Sequence, residues 1–74
     1  MKVRFIYPER LQYHPLLYRL IRQFDLEANI LEAQVTADGG YVVATLEGSQ
    51  PAIDEALAWM KEQGVQVEIL EAVG

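Results

Sequence analysis

The chain holds 74 residues, with eleven Asp and Glu against six Lys and Arg, a formal net charge of -5 and 51% hydrophobic residues. Such a composition folds, and it leaves room for a single small domain spanning residues 1–74. No cysteine is present, which excludes disulfides, thiolate zinc sites, iron–sulfur ligation and a thiol nucleophile, and a lone histidine argues against a transition-metal site.

The acidic balance disfavours nucleic acid, and no apolar run approaches the roughly 20 residues of a membrane span. The expected product is a cytoplasmic protein without a cofactor. Ordering so short a chain costs about 1.5 kcal/mol per residue, near 110 kcal/mol in all. With neither disulfide nor metal to help, self-association is the remaining source of buried surface, so a homodimer is expected.

Lys2 to Tyr7 alternates, with Val3, Phe5 and Tyr7 on one side and Lys2, Arg4 and Ile6 on the other, the pattern of a half-buried strand. Pro8 ends it. His14-Pro15 then suits a helix start, and Leu16, Leu17, Leu20, Ile21 and Phe24 form one apolar stripe. From Ala28 to Ala37 period two returns, placing Leu31, Ala33 and Val35 inward and Ile30, Glu32, Gln34 and Thr36 outward.

Asp38-Gly39-Gly40 predicts a hairpin turn, since Gly supplies positive φ. Tyr41 to Glu47 alternates again with Val42, Ala44 and Leu46 inward. Ser49 caps a second helix, Pro51 fits its first turn, Asp54 and Glu55 sit near the positive end of its dipole, and Gly64 ends it. Its buried stripe is Ala52, Ile53, Ala56, Leu57 and Met60, with Trp59 at the helix edge against the C-terminal strand. That strand, Val65 to Leu70, turns Val65, Val67 and Ile69 inward.

Two β-α-β halves around a central turn make an α+β fold, a ferredoxin-like split β-α-β sandwich (βαββαβ) with an antiparallel sheet of order 4-1-3-2 and both helices on one face. The uncovered face carries Lys2, Arg4, Glu47 and Glu68, placed for cross-strand ion pairs, but also Ile6, Ile30, Val43 and Leu70. Those apolar residues point to a partner sheet on that face, with an ordinary solvated surface as the alternative. Charge is uneven: residues 1–37 hold five basic and four acidic side chains, whereas residues 38–74 hold one and seven. No phosphate loop, His-x-x-x-His or nucleophile elbow occurs, so the chain is not expected to be an enzyme.

Ala28-Asn29-Ile30-Leu31-Glu32-Ala33 opens the second strand, and Gly39-Gly40, Leu46-Glu47-Gly48, Pro51-Ala52-Ile53 and Gly64-Val65-Gln66-Val67-Glu68 follow in order. In this order and spacing the chain resembles the NIL domain family, which is related in architecture to ACT domains and named for its Asn-Ile-Leu triplet. The resemblance implies a noncatalytic regulatory or substrate-sensing module. Family members end methionine-importer ABC ATPases, where they pair and bind methionine near the dimer interface. Others accompany ferredoxin-like cluster domains linked to sulfur metabolism.

A separate ATPase, ferredoxin or sulfur-metabolism protein is therefore an expected partner, since this length equals one split β-α-β unit. The alternative is an adaptor docking through the open sheet face. Candidate ligand-binding residues are Asn29, Ile30, Arg10 and His14. The Asn29 amide can hold the carboxylate or ammonium of an amino acid, or cap the strand locally. Ile30 lines a partner-facing site, whereas Leu31 belongs to the core. Arg10 offers a bidentate carboxylate contact, and His14 is either a helix-start residue or a ligand contact.

Overall fold

The structure, a computed structural model, describes residues 1–11 and 16–71. The expected helix start at His14-Pro15 lies outside the described residues. Strand β1 (Lys2–Pro8) runs into a single 3-10 turn at Glu9–Leu11. Helix α1 (Leu16–Phe24), strands β2 (Glu27–Thr36) and β3 (Gly39–Glu47), helix α2 (Gln50–Glu62) and strand β4 (Gln66–Glu71) follow. The sheet is antiparallel in the order β2-β3-β1-β4, which is the ferredoxin-like arrangement the two halves require.

Burial follows the two periodicities. Val3 and Phe5 of β1 and Leu46 of β3 meet Leu16 and Leu20 of α1 and Ile53, Ala56, Leu57 and Met60 of α2 in one core. Ser49 caps α2 as expected, its Oγ accepting the Ala52 backbone N–H at 3.2 Å. The first turn of α2 holds no acid, and Asp54 in the second turn accepts from the Gln50 side chain. Trp59 packs edge-on against Phe24 of α1, ring centroids 6.0 Å apart, so it joins the two helices where the sequence suggested a contact with β4.

The hairpin turn is Ala37-Asp38, one residue earlier than expected. Gly39 pairs with Thr36 on one side and Pro8 on the other at φ +132°, and a Cβ there would run into the Tyr7 carbonyl. A side chain is thus excluded twice, by conformation and by space.

The largest departure from the sequence reading lies in β2. Its ladder to β3 pairs Asn29 with Thr45 and Ile30 with Ala44, then resumes with Glu32 against Val43, so one residue is inserted at Leu31. Directly opposed residues share a face. Ala44 also faces Val3, so Ile30 stands on the helix side, whereas Asn29, Glu32 and Gln34 stand on the open side. Leu31 is 50% exposed and is not part of the core, because a bulge leaves the extra residue unpaired and the helices end short of it. Val35 and Ile69, both expected inward, lie on the helix side but at strand ends beyond helix cover, and are mostly exposed.

Tyr7, half-buried at the end of β1, has its hydroxyl pushed up to about 12 by burial.

Two outcomes check this packing. Leu46→Ala is expected to cost about 2–5 kcal/mol in urea unfolding, because Leu46 is fully buried, while Leu31→Ala costs under about 1 kcal/mol. The raised Tyr7 pKa means the folded state holds its phenolic proton longer than the unfolded chain, so stability falls as pH rises from 10 to about 12. Alkaline unfolding of Tyr7→Phe should show a shallower loss across that window.

Candidate functional site

The described part of helix α1 spans nine residues, about 14 Å at 1.5 Å per residue, whereas the ten residues of β2 reach about 33 Å. The helix therefore leaves part of β2 and the adjoining hairpin uncovered. There an open, mainly apolar groove of about 210 Å³ runs between the start of α1 and the β2–β3 hairpin. Its floor is Tyr7, Leu11 and Val42, one wall is Leu16, Leu17 and Tyr18, and the other is Ala33, Gln34 and Val35. Gly39, Gly40 and Tyr41 close the hairpin end.

The polar atoms at this groove are few. The Tyr7 hydroxyl is held neutral by its surroundings, and the Tyr18 hydroxyl accepts from Arg22 at 2.8 Å, with the same guanidinium 5.6 Å from the Tyr18 ring centroid. Apolar walls with Tyr7 and Tyr18 beside them suit a short, flexible side chain, and a thioether gains further from aromatic edges.

The open face of the sheet is different. Arg4 reaches Glu68 at 3.3 Å and lies 5.9 Å from the Tyr41 ring centroid, while the Tyr41 hydroxyl donates to Glu32 at 2.7 Å. That hydrogen bond holds the Tyr41 phenol above its ordinary range. These side chains stand at registers neighbouring Val43, which is only 4% exposed although no helix covers it. The expectation that Val43 offers apolar surface to a partner is therefore not met, since long polar side chains already cover it.

The three described candidates, Asn29, Ile30 and Arg10, do not come together within one chain. Asn29 pairs with Thr45, which pairs with Lys2 at the start of β1, whereas Arg10 follows the end of β1, about 20 Å along the sheet. The Arg10 guanidinium lies over Gly64, a glycine with φ +98° in the turn after α2. Ile30 stands on the helix side, the opposite face from Asn29, and is 55% exposed. His14 lies outside the described residues. The groove residues Tyr7, Leu17, Tyr18 and Ala33 escaped the sequence reading because each fits an ordinary amphipathic pattern. Only the gathering of tyrosines near the hairpin hinted at a site.

The chain is similar in sequence and fold to known proteins. The methionine import ATP-binding protein MetN of Helicobacter hepaticus is 38% identical over 60 residues, covering 76% of this chain and 17% of that protein. The same-named protein of Histophilus somni is 33% identical over 76 residues, covering 97% and 22%, and that of Myxococcus xanthus is 40% identical over 58 residues, covering 73% and 18%. The chain thus spans about a fifth of the length of these relatives. The crystal structure of the C-terminal domain of an ABC transporter / ATP-binding protein from Enterococcus faecalis superposes with a TM-score of 0.81 at 20% identity, covering 97% of this chain and 84% of that one, a likeness of fold. The model of the NIL domain matches residues 1–69, and with that match the chain belongs to the NIL domain family.

Proposed function

We propose that this chain is a noncatalytic regulatory module that binds a methionine-like amino acid as a homodimer and reports its level to an ATP-binding transport subunit on the cytoplasmic side of a membrane. The observation that carries this reading is the apolar groove beside β2. At about 210 Å³ it falls below the roughly 300–1,000 Å³ of drug-sized pockets, a size for one small amino acid.

A straight thioether chain follows a narrow groove without the branching cost of Val or Ile. Its sulfur can sit at the ring edges of Tyr7 or Tyr18 for about 0.3–1.5 kcal/mol per contact. The relatives are methionine import ATP-binding proteins, which supports this ligand class. Asn29 belongs to the site only if a second copy brings its amide to the groove, because within one chain it occupies the other end and other face of β2. Docking of an adaptor partner through the open face has less support, since Arg4, Tyr41, Glu32 and Glu68 already satisfy one another there.

Isothermal titration with L-methionine tests the reading. Saturable binding is expected, with a rise in melting temperature, since ligand at 100 times Kd adds about 2.7 kcal/mol to stability. Ala33→Leu, which adds three carbons to the groove wall, is expected to weaken binding by about tenfold or more, a loss near 1.4 kcal/mol. Absence of both heat and a melting shift at millimolar methionine would overturn the assignment.

A further inference from the structure

The polar chemistry around the groove has one sign. Among the described residues none that lines it is charged, and the polar side chains on its helix-side surface are the hydroxyls of Tyr7 and Tyr18. Both can donate. Tyr7 is kept protonated by burial, and Tyr18 accepts from Arg22 at 2.8 Å, which leaves the Tyr18 O–H hydrogen for another acceptor. The acids of the hairpin are set apart from this surface. Glu32 is bonded to Tyr41 on the open face, and Asp38 borders a separate hollow there with Arg4 and Glu68.

A cation stands at the rim instead. Arg22 follows Tyr18 by one helical turn, its guanidinium 5.6 Å from that ring centroid, and makes no ion pair among the described residues. The described part of α1 carries Arg19 and Arg22 and no acid, in a chain whose net charge is -5. Beside the groove the charge of the chain is thus reversed, which favours an anion. One N–H of Arg22 is engaged by Tyr18, so most of the guanidinium fork is free and already oriented, and binding incurs less ordering cost.

We propose that the groove recognises apolar monocarboxylates, with the carboxylate on Arg22 and the Tyr18 hydroxyl and the tail against Leu17, Ala33 and Val35, and that an α-ammonium group is dispensable. The proposal rests on the reading of the groove as the ligand site and deepens it. Methionine becomes one member of a class that includes the 2-oxo and 2-hydroxy acids with the same tail. A carboxylate gains charge-assisted, bidentate hydrogen bonds from the guanidinium. An ammonium meets no carboxylate among the described groove residues and lies near the like charge of Arg22.

Isothermal titration with L-methionine, with 4-(methylthio)butanoate, which lacks the ammonium, and with L-methioninol, which lacks the carboxylate, separates the two head groups. The butanoate is expected to bind about tenfold or more tightly than methioninol, a difference near 1.4 kcal/mol. Arg22→Gln is expected to erase that difference by weakening the acid alone, and Arg22→Lys, which keeps the charge and loses the fork, to restore part of it. Arg22 is exposed, so an unchanged melting temperature without ligand is expected of both variants.

Methioninol that binds as tightly as the acid, or a preference for the acid that survives Arg22→Gln, overturns the carboxylate anchor; L-methionine bound in the same series would leave the groove reading standing. Conversely, L-methionine that fails where 4-(methylthio)butanoate succeeds sinks the amino-acid reading and supports the anchor. Silence from all three compounds at millimolar concentration overturns both.

Discussion

The fold rests on a mismatch of lengths. The nine described residues of α1 cannot shield a ten-residue strand, because a helix advances 1.5 Å per residue and a strand more than twice that. The buried core accordingly gathers on β1, β3 and the two helices, with Ala28 the one β2 side chain packed against it. Everything distinctive about the surface follows from that shortfall: an apolar groove where α1 fails to meet β2, and an edge strand bare on both faces.

The open face shows the opposite solution. Val43 is almost fully buried there without any element packed over it, because Arg4, Tyr41 and Glu32 extend across the sheet and bond to one another and to Glu68. Each contact is modest on its own. Arg4 and Glu68 are more than a third exposed, so their pair contributes well under 1 kcal/mol once solvent screening is counted. Together they hide an aliphatic side chain and leave a polar surface, which accounts for an open face that tolerates water.

Most of the architecture could be read from residue order. Alternation from Lys2 to Tyr7 and Tyr41 to Glu47, the apolar stripes of both helices, Ser49 and Gly64 each point to one local structure, and the strand order follows from chain reversals that all agree. What escaped was the insertion at Leu31. Residues 31 to 36 alternate without a break, the adjacent apolar pair Ile30-Leu31 fits either face, and a bulge shifts which side faces inward without changing residue types. The sign of the alternation thus passed from one half of β2 to the other unseen. Exposure hid the error further, because an edge strand with no core on either face applies little pressure on its pattern. Asn29 and Ile30 were legible as a motif, but their placement on opposite faces depends on that bulge.

The bulge also ties the edge to the groove. Ala33, Gln34 and Val35, the residues just past it, form one wall of the groove, and with the extra residue at Leu31 the side chains of Ala33 and Val35 fall on the helix side while that of Gln34 falls on the open side. A ligand in the groove would therefore lean on the edge strand, and its binding free energy would go partly into holding that strand. If the chain pairs as the proposed function requires, thermodynamic linkage makes the effect reciprocal: whatever factor the ligand adds to pairing, pairing adds to ligand affinity.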